Sequence, residues 1–177
     1  MRKIKSVVAM LLYYSVAYYL PNSSFPGGSL FNWLRVALLR QFLTIGKNCR
    51  VMKGVYVGNG KSIVIGDYCK INDYVRLNNV IIGNHVLIAR ESIILGKMHE
   101  YKDLNIEIAK QGNRILGPTI IGDGTWIGLR CIIFPELKIG KNAIIAAGAV
   151  LTKNVSDYDV FGGVPAKFIK NRKNGEQ

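Results

Sequence analysis

Few side chains in this sequence are able to do chemistry. It holds two histidines, His85 and His99, and three cysteines, Cys49, Cys69 and Cys131. Histidine is the side chain best matched to accept a proton near neutral pH. His99 opens a polar stretch, KMHEYKDLNIEIAKQGNRIL, and a loop that long inside a compact chain is usually functional. A lone loop histidine without other context is more often simply solvated, so both readings stand at this point. His85, in IGNHVLIA, reads as a surface turn residue. The cysteines show no CxxC spacing and, being odd in number, cannot all pair. They read as small buried hydrophobes, which favours a reducing compartment over a metal or redox role. Two histidines at this spacing do not suit an all-histidine zinc site, and no metal is expected. The net charge of +13 implies an anionic partner, and Lys153, Lys167, Lys170, Arg172 and Lys173 concentrate it near the C-terminus. Nucleic acid, an acidic membrane face and a phosphorylated cofactor all carry suitable charge. Aromatic residues do not interleave with the basic ones, which counts against nucleic acid.

The elements that would position these groups show in the spacing of aliphatic residues. Over residues 117–151, Ile121, Ile127, Ile133, Ile139, Ile145 and Leu151 recur every six positions. Thr125, Cys131, Leu137, Ala143 and Ala149, mostly small, follow each aliphatic by four. Gly122, Gly128 and Gly140 follow directly, where a tight bend would tolerate little else. This period belongs to a parallel β-helix of hexapeptide repeats and matches neither an α-helix nor an ordinary strand. The same rail runs through Ile45, Val51 and Val57, then Ile65, Ile71 and Leu77, then Ile82, Ile88 and Ile94. It slips between 57 and 65 and between 77 and 82, which predicts irregular corners. It disappears over 97–117 and ends near Val155.

Both ends depart from the period. Residues 7–20 are apolar apart from Ser15, after a basic start. A secretory signal peptide would use Ser15-Val16-Ala17 for cleavage. A membrane span would need about 18 uncharged residues, more than this run supplies. The reading adopted is a helix that packs on protein or lies in a membrane interface, which suits Tyr13, Tyr14, Tyr18 and Tyr19. After the turn-rich LPNSSFPGG, a second helix is expected from about Leu30 to Leu43, capped by Ser29, with Arg35 and Arg40 among its polar positions. The chain then divides into a helical cap (1–44), a β-helix (45–156) and a basic extension (157–177). A short helix is expected beyond Pro165, and the Asn-Gly-Glu-Gln tail is expected to be disordered.

The motifs IGDGTWIG (121–128), IIAAGAVLTKNV (144–155) and GGVPAKFIK (162–170) resemble those of the left-handed β-helix, hexapeptide-repeat acyltransferases. Within them the chain is similar to the O-acetyltransferases of galactoside, maltose, xenobiotic and capsular-polysaccharide type. The resemblance spans roughly residues 45–170. It implies an all-β, left-handed solenoid and a homotrimer with active sites between subunits. It also implies acetyl-CoA as donor and a sugar hydroxyl as acceptor, in a cytoplasmic enzyme of surface-polysaccharide synthesis. His99 matches the family's general base. Trp126 matches the tryptophan lining the acceptor and pantetheine cleft. Ala147 and Gly148 match the backbone that meets pantetheine, and Thr152 and Lys153 a pair near the nucleotide. Lys167 and Lys170 match basic positions towards the phosphates, and Asn72 an asparagine on the acceptor. Leu129 replaces a frequent serine, and Ser156-Asp157 replaces Pro-Pro. The alternatives are an N-acetyltransferase acting on a nucleotide-linked amino sugar, and a non-catalytic basic scaffold. A peripheral membrane contact through residues 1–43 is a separate expectation.

Overall fold

A computed structural model describes residues 2–22 and 25–174. Ser23 and Ser24 of the connector and the end of the tail lie outside the described residues. Among the described residues α1 (Arg2–Leu12) continues into a π-helical segment (Tyr13–Ala17), and with α2 (Gly28–Leu39) these precede fifteen strands. In chain order these are β1 (Thr44–Ile45), β2 (Arg50–Val51), β3 (Ile63–Ile65), β4 (Lys70–Ile71), β5 (Val80–Ile82), β6 (Leu87–Ile88) and β7 (Ile93–Ile94). After the long loop come β8 (Thr119–Ile121), β9 (Trp126–Ile127), β10 (Ile132–Ile133), β11 (Lys138–Ile139), β12 (Ile144–Ile145), β13 (Val150–Leu151), β14 (Asp159–Gly162) and β15 (Lys167–Asn171).

The strands stack into three parallel walls. The first wall is β1-β3-β5-β8-β11, and the second is β2-β4-β6-β9-β12-β14 with β15 at its edge. The third is β7-β10-β13, extended backwards by the bridges of Ile93 to Arg76 and of Arg76 to Tyr56. Each hexapeptide therefore supplies one wall, and three make one coil. Register follows the aliphatic rail: Ile45 stands on Ile65, Ile65 on Ile82, Ile82 on Ile121 and Ile121 on Ile139. Every rail residue is buried, so the solenoid interior is one continuous column of branched aliphatics. The small rail closes the column by hydrogen bonding between coils. Thr125 Oγ1 donates to the Gly140 carbonyl at 2.8 Å, and Cys49, Cys69 and Cys131 each point Sγ at a carbonyl of the next coil, 3.1 Å away. Burial raises the Cys131 thiol above its ordinary pKa. All three cysteines are free and buried.

The rail glycines have a different cause from the one expected. Gly122, Gly128 and Gly140 do not have positive φ; a Cβ on each would stand 2.4–2.6 Å from a backbone nitrogen of the next coil. Close approach between coils, not bending, excludes a side chain there. The left-handed corner residues lie two places later, at Gly124, Arg130 and Asn142. His85 occupies such a corner, its ring stacked on that of Tyr68.

The two helices cover the open N-terminal coil. Asn32 donates to the Cys49 carbonyl (3.2 Å) and accepts from the Val51 N–H (2.8 Å), taking the place of a strand beside β2. Tyr13 donates to the Val55 carbonyl at 2.6 Å and Tyr14 to the Gly58 carbonyl at 2.9 Å. Burial pushes the Tyr14 phenol up to about 12. The second helix begins earlier than expected and ends at Leu39; its N-cap is Gly27, with φ 78°, instead of Ser29. The turn preceding it closes through Phe25, whose carbonyl accepts from the Gly28 N–H, so the helix starts two residues sooner.

Arg35 corrects another expectation. It is fully buried, and its guanidinium donates to the carbonyls of Ala17, Leu20 and Pro21 where the first helical segment ends. Desolvation lowers its pKa, opposed by Tyr13 and Asp73. Replacing it strands three carbonyls at a helix end. Arg35→Ala is expected to cost about 2–4 kcal/mol, read as a fall in the denaturation midpoint. A midpoint unchanged from wild type would show the clamp to be dispensable.

The C-terminal segment is a β-hairpin, not a basic helix. β14 stacks on β12 (Val160 on Ile144), and β15 returns antiparallel to it. The edge of β14 offers backbone partners that a helix beyond Pro165 would leave unused. The wall thus runs past residue 156 into the basic extension.

Candidate active site

The two corners that flank the third wall divide the candidate residues between them. On the corner joining the second wall to the third lie Asn72 and, two coils on, Gly128 to Arg130, followed in the next coil by Ala147 with Gly148. On the corner joining the third wall to the first lie Asn78 and Asn79, the exit of the long loop with His99, and Thr152 with Lys153. The corners are one hexapeptide apart, roughly 20 Å for six extended residues. Within one chain, then, His99 is not brought against Trp126 or Ala147.

His99 is exposed, and its backbone is fixed by a short antiparallel ribbon. Arg114 N–H donates to the Met98 carbonyl at 2.9 Å, Glu100 N–H to Gly112 at 3.1 Å, and His99 bridges Asn113. Glu100 and Asp103 serve the loop itself. Glu100 accepts from the N–H groups of Tyr101 (3.0 Å) and Lys102 (3.3 Å), which hold its carboxyl below the usual range. Asp103 accepts from Asn105 N–H at 2.9 Å, and its backbone is tied to Gln111 in both directions. Among the described residues no hydrogen bond holds the His99 imidazole. The return of the loop is secured by Asn79, which donates to the carbonyls of Leu116 (3.1 Å) and Gly117 (3.0 Å). At the base of the loop a cleft of about 640 Å³ is lined by Tyr56, Asn59, Asn78, Asn79, Leu95 and Lys97 among others. Sequence spacing did not single these out, because their only signal is corner polarity.

Trp126 stands on the second wall between Leu87 and Ile144 and is 47% exposed. Ala147 is exposed on the corner above it. Gly148 has φ 73°, and nothing lies within 4 Å of where its Cβ would stand, so the surface there is open. Gly128 closes the floor beneath: its Cβ would meet the Ala147 nitrogen at 2.6 Å. An extended amide chain fits such a ledge, because small residues allow close approach to backbone. Lys167 and Lys170 extend from β15 at the edge of the same wall; Thr152 and Lys153 are exposed on the next corner. Asn72 is committed to the solenoid, its amide donating to the Ile88 carbonyl at 2.9 Å, as Asn78 does to Ile94 at 3.0 Å.

Residues 118–153 match the family described as the hexapeptide repeat of succinyl-transferase. A 61-residue stretch is 46% identical to a probable macrolide acetyltransferase of Lysinibacillus sphaericus, covering 34% of each chain. The chain thus spans about a third of the length of such relatives. The match to the galactoside O-acetyltransferase of Escherichia coli K12 is longer: 33% identity over 139 residues, covering 77% of this chain and 68% of that protein. A galactoside acetyltransferase solved in complex with coenzyme A superposes with a TM-score of 0.76 at 27% identity, covering 96% of this chain and 82% of that one. The chain belongs to the hexapeptide-repeat acetyltransferase family.

Proposed function

We propose that the protein is an acetyl-CoA-dependent O-acetyltransferase that modifies a sugar hydroxyl, in the cytoplasm, during surface-polysaccharide synthesis. The observation that carries this reading is a pair of complementary edges. One holds an exposed histidine, two residues beyond the cleft-lining Lys97. The other is an open ledge of small residues on a wall that ends in lysines. In this reading His99 accepts the proton of the acceptor hydroxyl as its oxygen attacks the thioester carbonyl. The carbon–sulfur bond breaks, the acetyl group passes to the oxygen, and the thiol leaves with a proton. Ala147 and Gly148 present backbone along the pantetheine arm, with Trp126 at the acceptor end. Thr152, Lys153, Lys167 and Lys170 supply donors and positive charge towards the nucleotide phosphates.

The separation of the two edges supports a homotrimer, since a neighbouring copy would bring its ledge to this chain's histidine. Exposed Leu104, Ile106, Ile108 and Ile115 on the long loop favour such a contact. The test is release of free thiol from acetyl-CoA in the presence of a panel of sugars, lipid-linked glycans and nucleotide-linked amino sugars. Turnover on a hydroxyl acceptor is expected, together with thermal stabilisation by acetyl-CoA. Acetylation of amines alone would reassign the acceptor. Neither turnover nor stabilisation would reduce the protein to a basic scaffold.

A further inference from the structure

The face of α1 and of the π-helical segment continuing it (Tyr13–Ala17) that turns away from the solenoid is as apolar as the face that packs against it. Ala9, Tyr13 and Ala17 are buried at four-residue spacing. On the outer side Ile4, Val7, Val8, Leu11, Leu12 and Val16 are all about half exposed or more, with Tyr19 following. Among the described residues, Ser15, the partly exposed Ser6 and the lysines Lys3 and Lys5 bring polar groups to this segment. Around the start of α2, Phe25, Leu30 and Trp33 are each more than half exposed. Single exposed aliphatics need no explanation, but a continuous stripe along a helix does. No helix among the described residues is long and apolar enough to cross a membrane. Charge sharpens the picture. The first acidic residue of the chain is Asp67, and nine basic residues precede it. Of those, Lys3, Lys5, Arg40, Lys47, Arg50 and Lys61 are exposed.

We infer that α1 and the start of α2 form a docking surface for an anionic phospholipid bilayer, lying in the headgroup region with the apolar stripe turned to the acyl chains. The apolar stripe supplies the burial, the lysines and arginines supply attraction to anionic headgroups, and Trp33 and Tyr19 suit the interface between them. A protein partner with an apolar face would answer the stripe equally well, but it would not account for an N-terminal third without one acidic residue. The cap sits against the coil that carries Tyr56, Val57 and Gly58, so the docked face adjoins the coils that line the cleft.

Flotation of the full chain with vesicles tests this directly. Recovery with vesicles containing phosphatidylglycerol is expected to exceed that with phosphatidylcholine alone, and to fall in high salt. The triple variant Val8→Glu, Leu12→Glu, Val16→Glu is expected to lower partition about tenfold or more. Its thermal midpoint should change little and its stabilisation by acetyl-CoA should stay unchanged, because the three side chains are about half exposed on the cap and none belongs to the buried core or the ledge. Wild-type protein that stays with the aqueous fraction under all compositions overturns the inference. So does a stripe whose loss only dissolves a larger assembly of the chain, without any change in flotation.

Discussion

Replacement of His99 by alanine is expected to lower turnover about 10²–10⁴-fold while leaving the protein folded and able to bind acetyl-CoA. The expectation separates binding from chemistry because the structure separates them. His99 lies on the corner let out into the long loop, whereas the ledge of Ala147 and Gly148 lies on the opposite edge of the third wall. Its side chain is exposed, and the ribbon that fixes it is built from backbone hydrogen bonds between Met98 and Arg114 and between Glu100 and Gly112. Removing the imidazole should leave that ribbon standing. The decisive comparison is the thermal shift on adding acetyl-CoA, which should match wild type, against turnover, which should collapse. Turnover within a few-fold of wild type would dismiss His99 as the base. Loss of the thermal shift along with turnover would instead give it a binding role. Glu100→Gln is a useful companion, because that carboxylate caps its own loop and should cost far less than His99→Ala.

Much of this frame was legible from residue spacing, and the reason is physical. A solenoid repeats one environment, so the buried column must repeat one kind of side chain at one interval, and Ile121 to Leu151 do so without exception. The irregular corners announced themselves where that interval slipped, after Val57 and after Leu77. Features that depend on a single contact between distant segments left no periodic trace. Arg35 reads as one more charge on a helix, and only the fold reveals that it closes on the carbonyls of Ala17, Leu20 and Pro21. The hairpin at the C-terminus was hidden for a similar reason. Lys167 to Asn171 form a strand because β14 offers them an edge, and β14 exists only because β12 lies beneath it. The rail glycines were correctly marked as special, but crowding between coils looks the same in sequence as a strained bend. The candidate site was half legible: its residue types carried the resemblance, while their division between two corners appeared only in three dimensions.

That division makes Ala147→Phe the most informative change on the cofactor side. Ala147 is exposed, so its own coil has room for a ring, unlike Gly128 beneath it, where even a Cβ would collide with backbone. The variant should therefore fold with an unchanged midpoint. The ring would lie across the ledge proposed for the pantetheine arm and should weaken acetyl-CoA by about 2–3 kcal/mol, raising KM roughly 30–150-fold. Thermal stabilisation by acetyl-CoA should vanish at concentrations that stabilise wild type. An unchanged KM would move the cofactor off this ledge. The same variant also tests the assembly when co-expressed with His99→Ala. If each site takes its histidine from one chain and its ledge from the next, mixed oligomers contain some sites in which both defects fall on other positions, and activity returns. If one chain supplies both groups, every site carries at least one defect and mixing restores nothing. The separation of the two edges favours the first outcome, because one chain holds them a full wall apart.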